Sequence, residues 1–144
     1  MPQTPPTRNP NWEADLRAVF ASNAMMRHLE ISLVEVSPGR VCVRAPITAK
    51  VTQHHGYAHA GLAFAMGDNA QGMAAQSLIE PGQGIVTIEM KINLLAPAVG
   101  EALVARGFVE RAGRRVIVTR GEVVALAEGR EKTVAILLGS MAVV

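Results

Sequence analysis

The run from His59 to Ala75 constrains this chain more than any other part of it. Ala60, Gly61, Ala63, Ala65, Gly67, Ala70, Gly72, Ala74 and Ala75 are all small, and the residues between them include Leu62, Phe64, Met66 and Met73. A helix is expected from about Ala60 to Ile79, ended by Pro81-Gly82-Gln83-Gly84. A helix that is apolar on most sides must be enclosed, and its small residues let other backbone come close. One carboxylate, Asp68, stands inside the run, nine positions after His59. An acid is expensive to bury as an ion. Asp68 is therefore either a hydrogen-bonded structural aspartate or a reacting group.

The elements around this helix follow from periodicity. Asn11 is placed to cap a short helix, with Glu13 and Asp15 in its first turn and Trp12, Leu16, Val19 and Phe20 on one face to about Ser22. Leu29, Ile31 and Leu33 alternate with Glu30, Ser32 and Val34 as a strand would. Ser37-Pro38-Gly39-Arg40 reads as a turn, with a returning strand over Val41 to Ile47. Beyond the central helix, Ile88, Met90, Ile92 and Leu94 share one expected strand face, opposite Glu89, Lys91 and Asn93. Further strands are expected over Ala102 to Glu110, Arg115 to Leu126 and Glu131 to Val143. The economical arrangement is an α+β fold, a curled antiparallel sheet of about six strands wrapped around one long central helix.

The remaining composition narrows the function classes. A chain of 144 residues is one domain with room for a real core. Only 18% of its residues are charged and 3% are aromatic, so the core is built from Val, Leu, Ile, Ala and Met. The net charge is +2; eight of the fourteen Lys and Arg residues lie from Lys91 onward, without a basic run or aromatic surface for nucleic acid. Cys42, the single cysteine, excludes an internal disulfide and a Cys-rich metal site, and packs as a small apolar residue. His54, His55 and His59 do not make a ligand set, since adjacent histidines point apart and no acid completes them. Residues 1–10, with Pro2, Pro5, Pro6 and Pro10, read as a mobile lead-in rather than a targeting segment. No stretch reads as a membrane span, and a cytoplasmic location is expected.

With this order of elements, the segment around His59 resembles the hotdog-fold thioesterases of the phenylacetate-pathway type. Members read Asn, five residues, His-Gly-Gly, then Asp nine residues after the His. This chain reads Gln53, five residues, His59-Ala60-Gly61, then Asp68. Thr87 to Pro97 is similar to the family's strand ending in proline, and Arg111-Ala112-Gly113-Arg114-Arg115 to its basic hairpin turn. Two departures stand out: Gln53 adds a methylene to the usual Asn, and Ala60 replaces the first Gly of the pair. The resemblance implies a hotdog domain over residues 11–144, acyl-CoA as substrate and no cofactor or metal.

Thioester hydrolysis needs an activated water or a nucleophile, and donors aimed at the oxygen that becomes negative. Asp68, the only acid of the central helix, is the candidate base or nucleophile. The N–H of Ala60 or Gly61, at the positive end of the helix, is the candidate donor to the thioester carbonyl. His59 either orients the loop and the thioester or bonds the neighbouring loop. Gln53 and Thr87 are candidates to hold the attacking water. By the resemblance, Arg111, Gly113, Arg114 and Arg115 lie beside the coenzyme A phosphates, and the backbone near Leu95, Ala96 and Pro97 lines the pantetheine arm. Nine residues of helix rise about 13 Å, so His59 and Asp68 cannot meet on one thioester within one chain. A homodimer with shared sites is expected, and the resemblance implies further pairing into a tetramer. A hotdog dehydratase or hydratase for 3-hydroxyacyl thioesters and a non-catalytic acyl-CoA-binding module are the competing readings.

Overall fold

The computed structural model describes residues 5–144. Of the expected lead-in, residues 1–4 lie outside the described residues. Within 5–10 there is no helix or strand, yet Asn9 is buried and its side-chain amide donates to Asp15. Helix α1 spans Trp12–Ser22. Asn11 holds the N-cap position without a side-chain cap bond; instead its own N–H donates to Asn9 Oδ1.

The expected strand over Leu29 and Ile31 begins later, and the reason is a second helix that the sequence reading missed. Helix α2 covers Ala24–His28, capped by Asn23, whose Oδ1 accepts from the Met26 N–H. Glu30 then takes a left-handed φ of 58°, the Ile31 N–H donates to the Met26 carbonyl, and the Glu30 N–H to that of Arg27. This pair of bonds is a Schellman ending. Ile31 and Met26, both buried, supply its apolar contact. The alternation at Leu29 and Ile31 is therefore that of a helix ending.

Six strands follow: β1 (Ser32–Ser37), β2 (Arg40–Pro46), β3 (Ile85–Leu94), β4 (Ala102–Ala112), β5 (Val116–Ala127) and β6 (Arg130–Val143). Between β2 and β3 lie a short 3₁₀ turn at Ala49–Val51 and the central helix α3, Ala60–Gln76. Helix α3 ends three residues before the expected Ile79, with Ser77 as its cap. All five strand pairings are antiparallel, in the order β1-β2-β4-β5-β6-β3. The chain thus forms a six-stranded antiparallel sheet curled around one helix, with β3 as an outer edge that, among the described residues, pairs only with β6.

Helix and sheet meet through missing side chains. A Cβ on Gly107 of β4 would stand 2.3 Å from the Ala70 carbonyl carbon. One on Gly67 of α3 would stand 2.6 Å from a Leu137 methyl on β6. The fully buried Gln71 occupies the space left by Gly121, donating to the Gly67 carbonyl and accepting from the Thr119 hydroxyl. Around this contact Val41, Val43, Leu103, Ala105, Val123, Ala135 and Leu137 close over Leu62, Met66 and Ala70. Burial of this apolar surface is the main stabilising term.

Strand β3 departs from simple alternation. A register shift between Thr87 and Glu89 splits the expected Ile88–Leu94 face. Met90 and Ile92 pack against the core, while Ile88 and Leu94 are exposed. The irregularity is a β-bulge, which re-aims side chains on the strand that carries it. Here the re-aimed residue is Thr87.

Candidate active site

The start of α3 opens on a cleft of about 590 Å³. Its walls are His59, Ala60 and Ala63 of the helix, the loop residues Gln53, His54, Tyr57 and Ala58, the segment Leu94–Ala98, and Val134. Gln53, His59, Ala60, Leu95, Ala96 and Pro97, all candidates from sequence, are thus brought together. Tyr57, Leu94, Ala63 and Val134 line the same cleft, and no motif spacing pointed to them. The Ala58 N–H donates to the Ala98 carbonyl at 3.0 Å, tying the loop to the far wall.

His59 is the N-cap of α3. Its Nδ1 accepts from the Gly61 N–H at 2.8 Å, the role that side-chain oxygens usually fill at a helix start. An accepting Nδ1 carries a lone pair, so the neutral ring bears its hydrogen on Nε2. The two candidate donors thus differ in what they already bond. The Gly61 N–H is spent on the cap, and the Ala60 N–H, whose residue borders the cleft, has no protein acceptor among the described residues.

Gln53 is held by its own loop. Its Oε1 accepts from the N–H groups of His55 (2.5 Å) and Tyr57 (3.4 Å), and its backbone N–H donates to the Tyr57 carbonyl at 2.8 Å. Two donors on one amide oxygen fix the orientation of the amide. The group that Gln53 has left to offer the cleft is therefore a donor, its Nε2. His54 and His55 are exposed, with ring centroids 4.1 Å apart. Among the described residues no group of three or more His, Cys, Asp or Glu is placed to hold a metal ion.

Asp68 is not in this cleft. It lies half-buried on the outward side of α3, near Gly72, and its Oδ1 accepts from the Thr87 hydroxyl of β3 at 2.7 Å. That bond leaves Oδ2 unused by Thr87. Arg111, Gly113, Arg114 and Arg115 lie farther still, at the β4–β5 turn, where the Gly113 N–H donates to the Val116 carbonyl. This turn adjoins Ile117, which packs with Ala75 and Ile79 beyond the middle of α3. Within one chain the acid and the basic turn are thus separated from the helix-start cleft.

A second cavity, about 240 Å³, lies on the other side of His59. Met25, Leu29, Lys50, Val51, Gly61 and Leu62 complete it. Helix α2 contributes Met25, and five residues are too few to show a helical period.

The ionisable groups that the fold perturbs lie elsewhere, on the sheet face away from α3. A bidentate hydrogen bond joins Arg106 to Glu131, raising the guanidinium pKa and lowering that of the carboxyl. Burial pushes the Cys42 thiol up.

Comparison with known proteins agrees with this architecture. The family model described as the thioesterase superfamily matches residues 55–131. A thioesterase family protein of Silicibacter pomeroyi has a similar structure, with a TM-score of 0.91 and 32% identity over 92% of this chain and 98% of that one. The Escherichia coli PaaI protein from the phenylacetic acid degradation operon shares the fold, with a TM-score of 0.84 and 24% identity over 93% of this chain and 94% of the other. Human acyl-coenzyme A thioesterase 13 is 29% identical over 80% of this chain and 86% of its own length. The helix-start cleft, the six-stranded sheet around α3 and these matches place the chain in the thioesterase superfamily, with the hotdog fold.

Proposed function

We propose that this protein hydrolyses acyl-CoA thioesters, and that each active site is built from two chains. One observation carries the reading. The cleft at the start of α3 offers a free Ala60 N–H and the Gln53 amide but contains no acid, whereas the acid held by Thr87 lines neither cavity. Hydrolysis needs both at one carbonyl. A two-fold partner whose helix runs antiparallel alongside brings its Asp68 to this Ala60. The outward side of α3 suits that approach: a Cβ on Gly72 would meet nothing of its own chain within 4 Å.

In this arrangement the thioester oxygen accepts from the Ala60 N–H, where the helix dipole favours developing negative charge. The Gln53 Nε2 donates beside it. The opposing Asp68 uses Oδ2 in one of two ways. As a base it takes a proton from water, whose oxygen bonds to the carbonyl carbon. As a nucleophile it bonds to that carbon itself, and water then opens the mixed anhydride. In both, the carbon–sulfur bond breaks, the sulfur leaves with the electron pair and is protonated, and the products are CoA and a carboxylic acid. His59 acts by capping the helix that presents Ala60.

Co-refolding two inactive variants tests this directly. Asp68→Ala supplies the intact helix start, and a Gln53→Ala/His59→Ala variant supplies the intact acid. Random pairing gives mixed dimers with one complete site each, so thiol release should return to about a quarter of wild type. No recovery, with mixed dimers demonstrated, would confine each site to one chain.

A further inference from the structure

We propose that the cavity behind His59 receives the acyl group and that Lys50 selects acyl chains ending in a carboxylate; this rests on reading the Ala60 N–H as the thioester site. Ala60 borders the larger cleft, Gly61 borders the smaller cavity, and His59 alone borders both. A thioester carbonyl held at Ala60 therefore stands where the two spaces meet, with one substrate arm for each. The larger space, about 590 Å³ and flanked by the segment from Leu94 to Ala98, suits the long pantetheine arm. The smaller, about 240 Å³, is left for the acyl group.

The chemistry of the smaller cavity is specific. Met25, Leu29, Val51 and Leu62 make apolar walls, and Lys50 is the single Lys, Arg, Asp or Glu among its lining residues. Met25 is 56% exposed, so apolar surface at the mouth is left for a ligand to cover. Among the described residues Lys50 forms no salt bridge. His59 presents an unprotonated Nδ1 to Gly61 and adds no acidic partner. An ammonium on a flexible stem beside a small apolar cavity matches a short chain carrying a distal carboxylate, which gains a charge-assisted hydrogen bond that a terminal methyl cannot make. Lys50 sits at the exposed rim, so solvent screening limits the gain.

The test compares thioesters matched in length, glutaryl-CoA against pentanoyl-CoA and adipoyl-CoA against hexanoyl-CoA. Each pair is measured as a kcat/KM ratio in wild type, Lys50→Met and Lys50→Glu. Lys132→Met, which removes the same charge from β6, controls for net charge. Wild type should favour the diacid thioester, the preference should fall by about threefold in Lys50→Met and reverse in Lys50→Glu, and raised salt should weaken it. A ratio unchanged in Lys50→Met, or a wild-type preference for the neutral chain, would overturn the assignment. The same pairs are titrated calorimetrically into Asp68→Asn. Lys50-dependent preference in binding, with no thioester hydrolysed by wild type, would sustain the acyl cavity and remove the hydrolysis. Hydrolysis of both thioesters without any dependence on Lys50 would do the reverse.

Discussion

Thr87 of the edge strand donates its hydroxyl to Asp68 of the central helix across 2.7 Å. The bond exists because β3 bulges between Thr87 and Glu89. It orders one carboxylate oxygen and leaves the other unused by Thr87. Asp68→Asn keeps the size of the side chain and removes the proposed base or nucleophile, so turnover should fall at least ~100-fold with folding intact. Thr87→Val should lower turnover by about tenfold, the order expected for a lost hydrogen bond to a charged group, and Thr87→Ser should restore most of it. Steady-state kinetics on folded variants decide; wild-type turnover in Asp68→Asn would remove the acid from the mechanism.

The His59 cap has a stability signature separate from activity. His59→Ala should cost about 1 kcal/mol in urea unfolding, as loss of an N-cap acceptor does, and His59→Asn should recover most of it. Equal stability of all three proteins would show that the cap bond contributes nothing.

Two glycines separate the fold from the assembly. Gly107→Ala drives a Cβ into the Ala70 backbone, so helix or strand must shift, and should destabilise the chain by about 3 kcal/mol. Gly72 has open space within its own chain, so Gly72→Leu should leave the fold intact. It should nevertheless weaken dimerisation and activity together, because a partner helix would fill that space. Sedimentation and thermal melting of the two variants give the comparison; a fully dimeric, fully active Gly72→Leu protein would place the partner elsewhere.

The basic turn should serve binding more than chemistry. Arg114→Ala/Arg115→Ala should raise the KM for acyl-CoA with a smaller change in kcat, and matter much less for a truncated thioester without the nucleotide. Equal losses on both substrates would detach these arginines from coenzyme A.

Cys42 should be inert in the native protein. Burial raises its thiol pKa, which keeps it protonated at neutral pH, and alkylation requires the thiolate. Iodoacetamide at neutral pH should label it only after unfolding; rapid labelling of folded protein would contradict its burial.

Much of the fold was legible because its signals are local. The small-residue run announced an enclosed helix, and alternation located the strands to within a few residues. The spacing of Gln53, His59 and Asp68 was visible, as was the separation of His59 from Asp68 along one helix, since the helical rise per residue is fixed. Sequence left open what depends on contacts between distant segments. Whether Gly61 or Ala60 offers a free N–H turned on which atom His59 accepts from. That Thr87 reaches Asp68 turned on a one-residue bulge, which a period-two pattern cannot reveal because it merely exchanges faces. Helix α2 and the cavity it walls were silent, being shorter than a helical period needs to be recognised. Local pattern thus determined the elements and the chemical groups, while the tertiary structure decided which of those groups keep a hydrogen-bonding valence free, because that is settled only when every neighbour is in place.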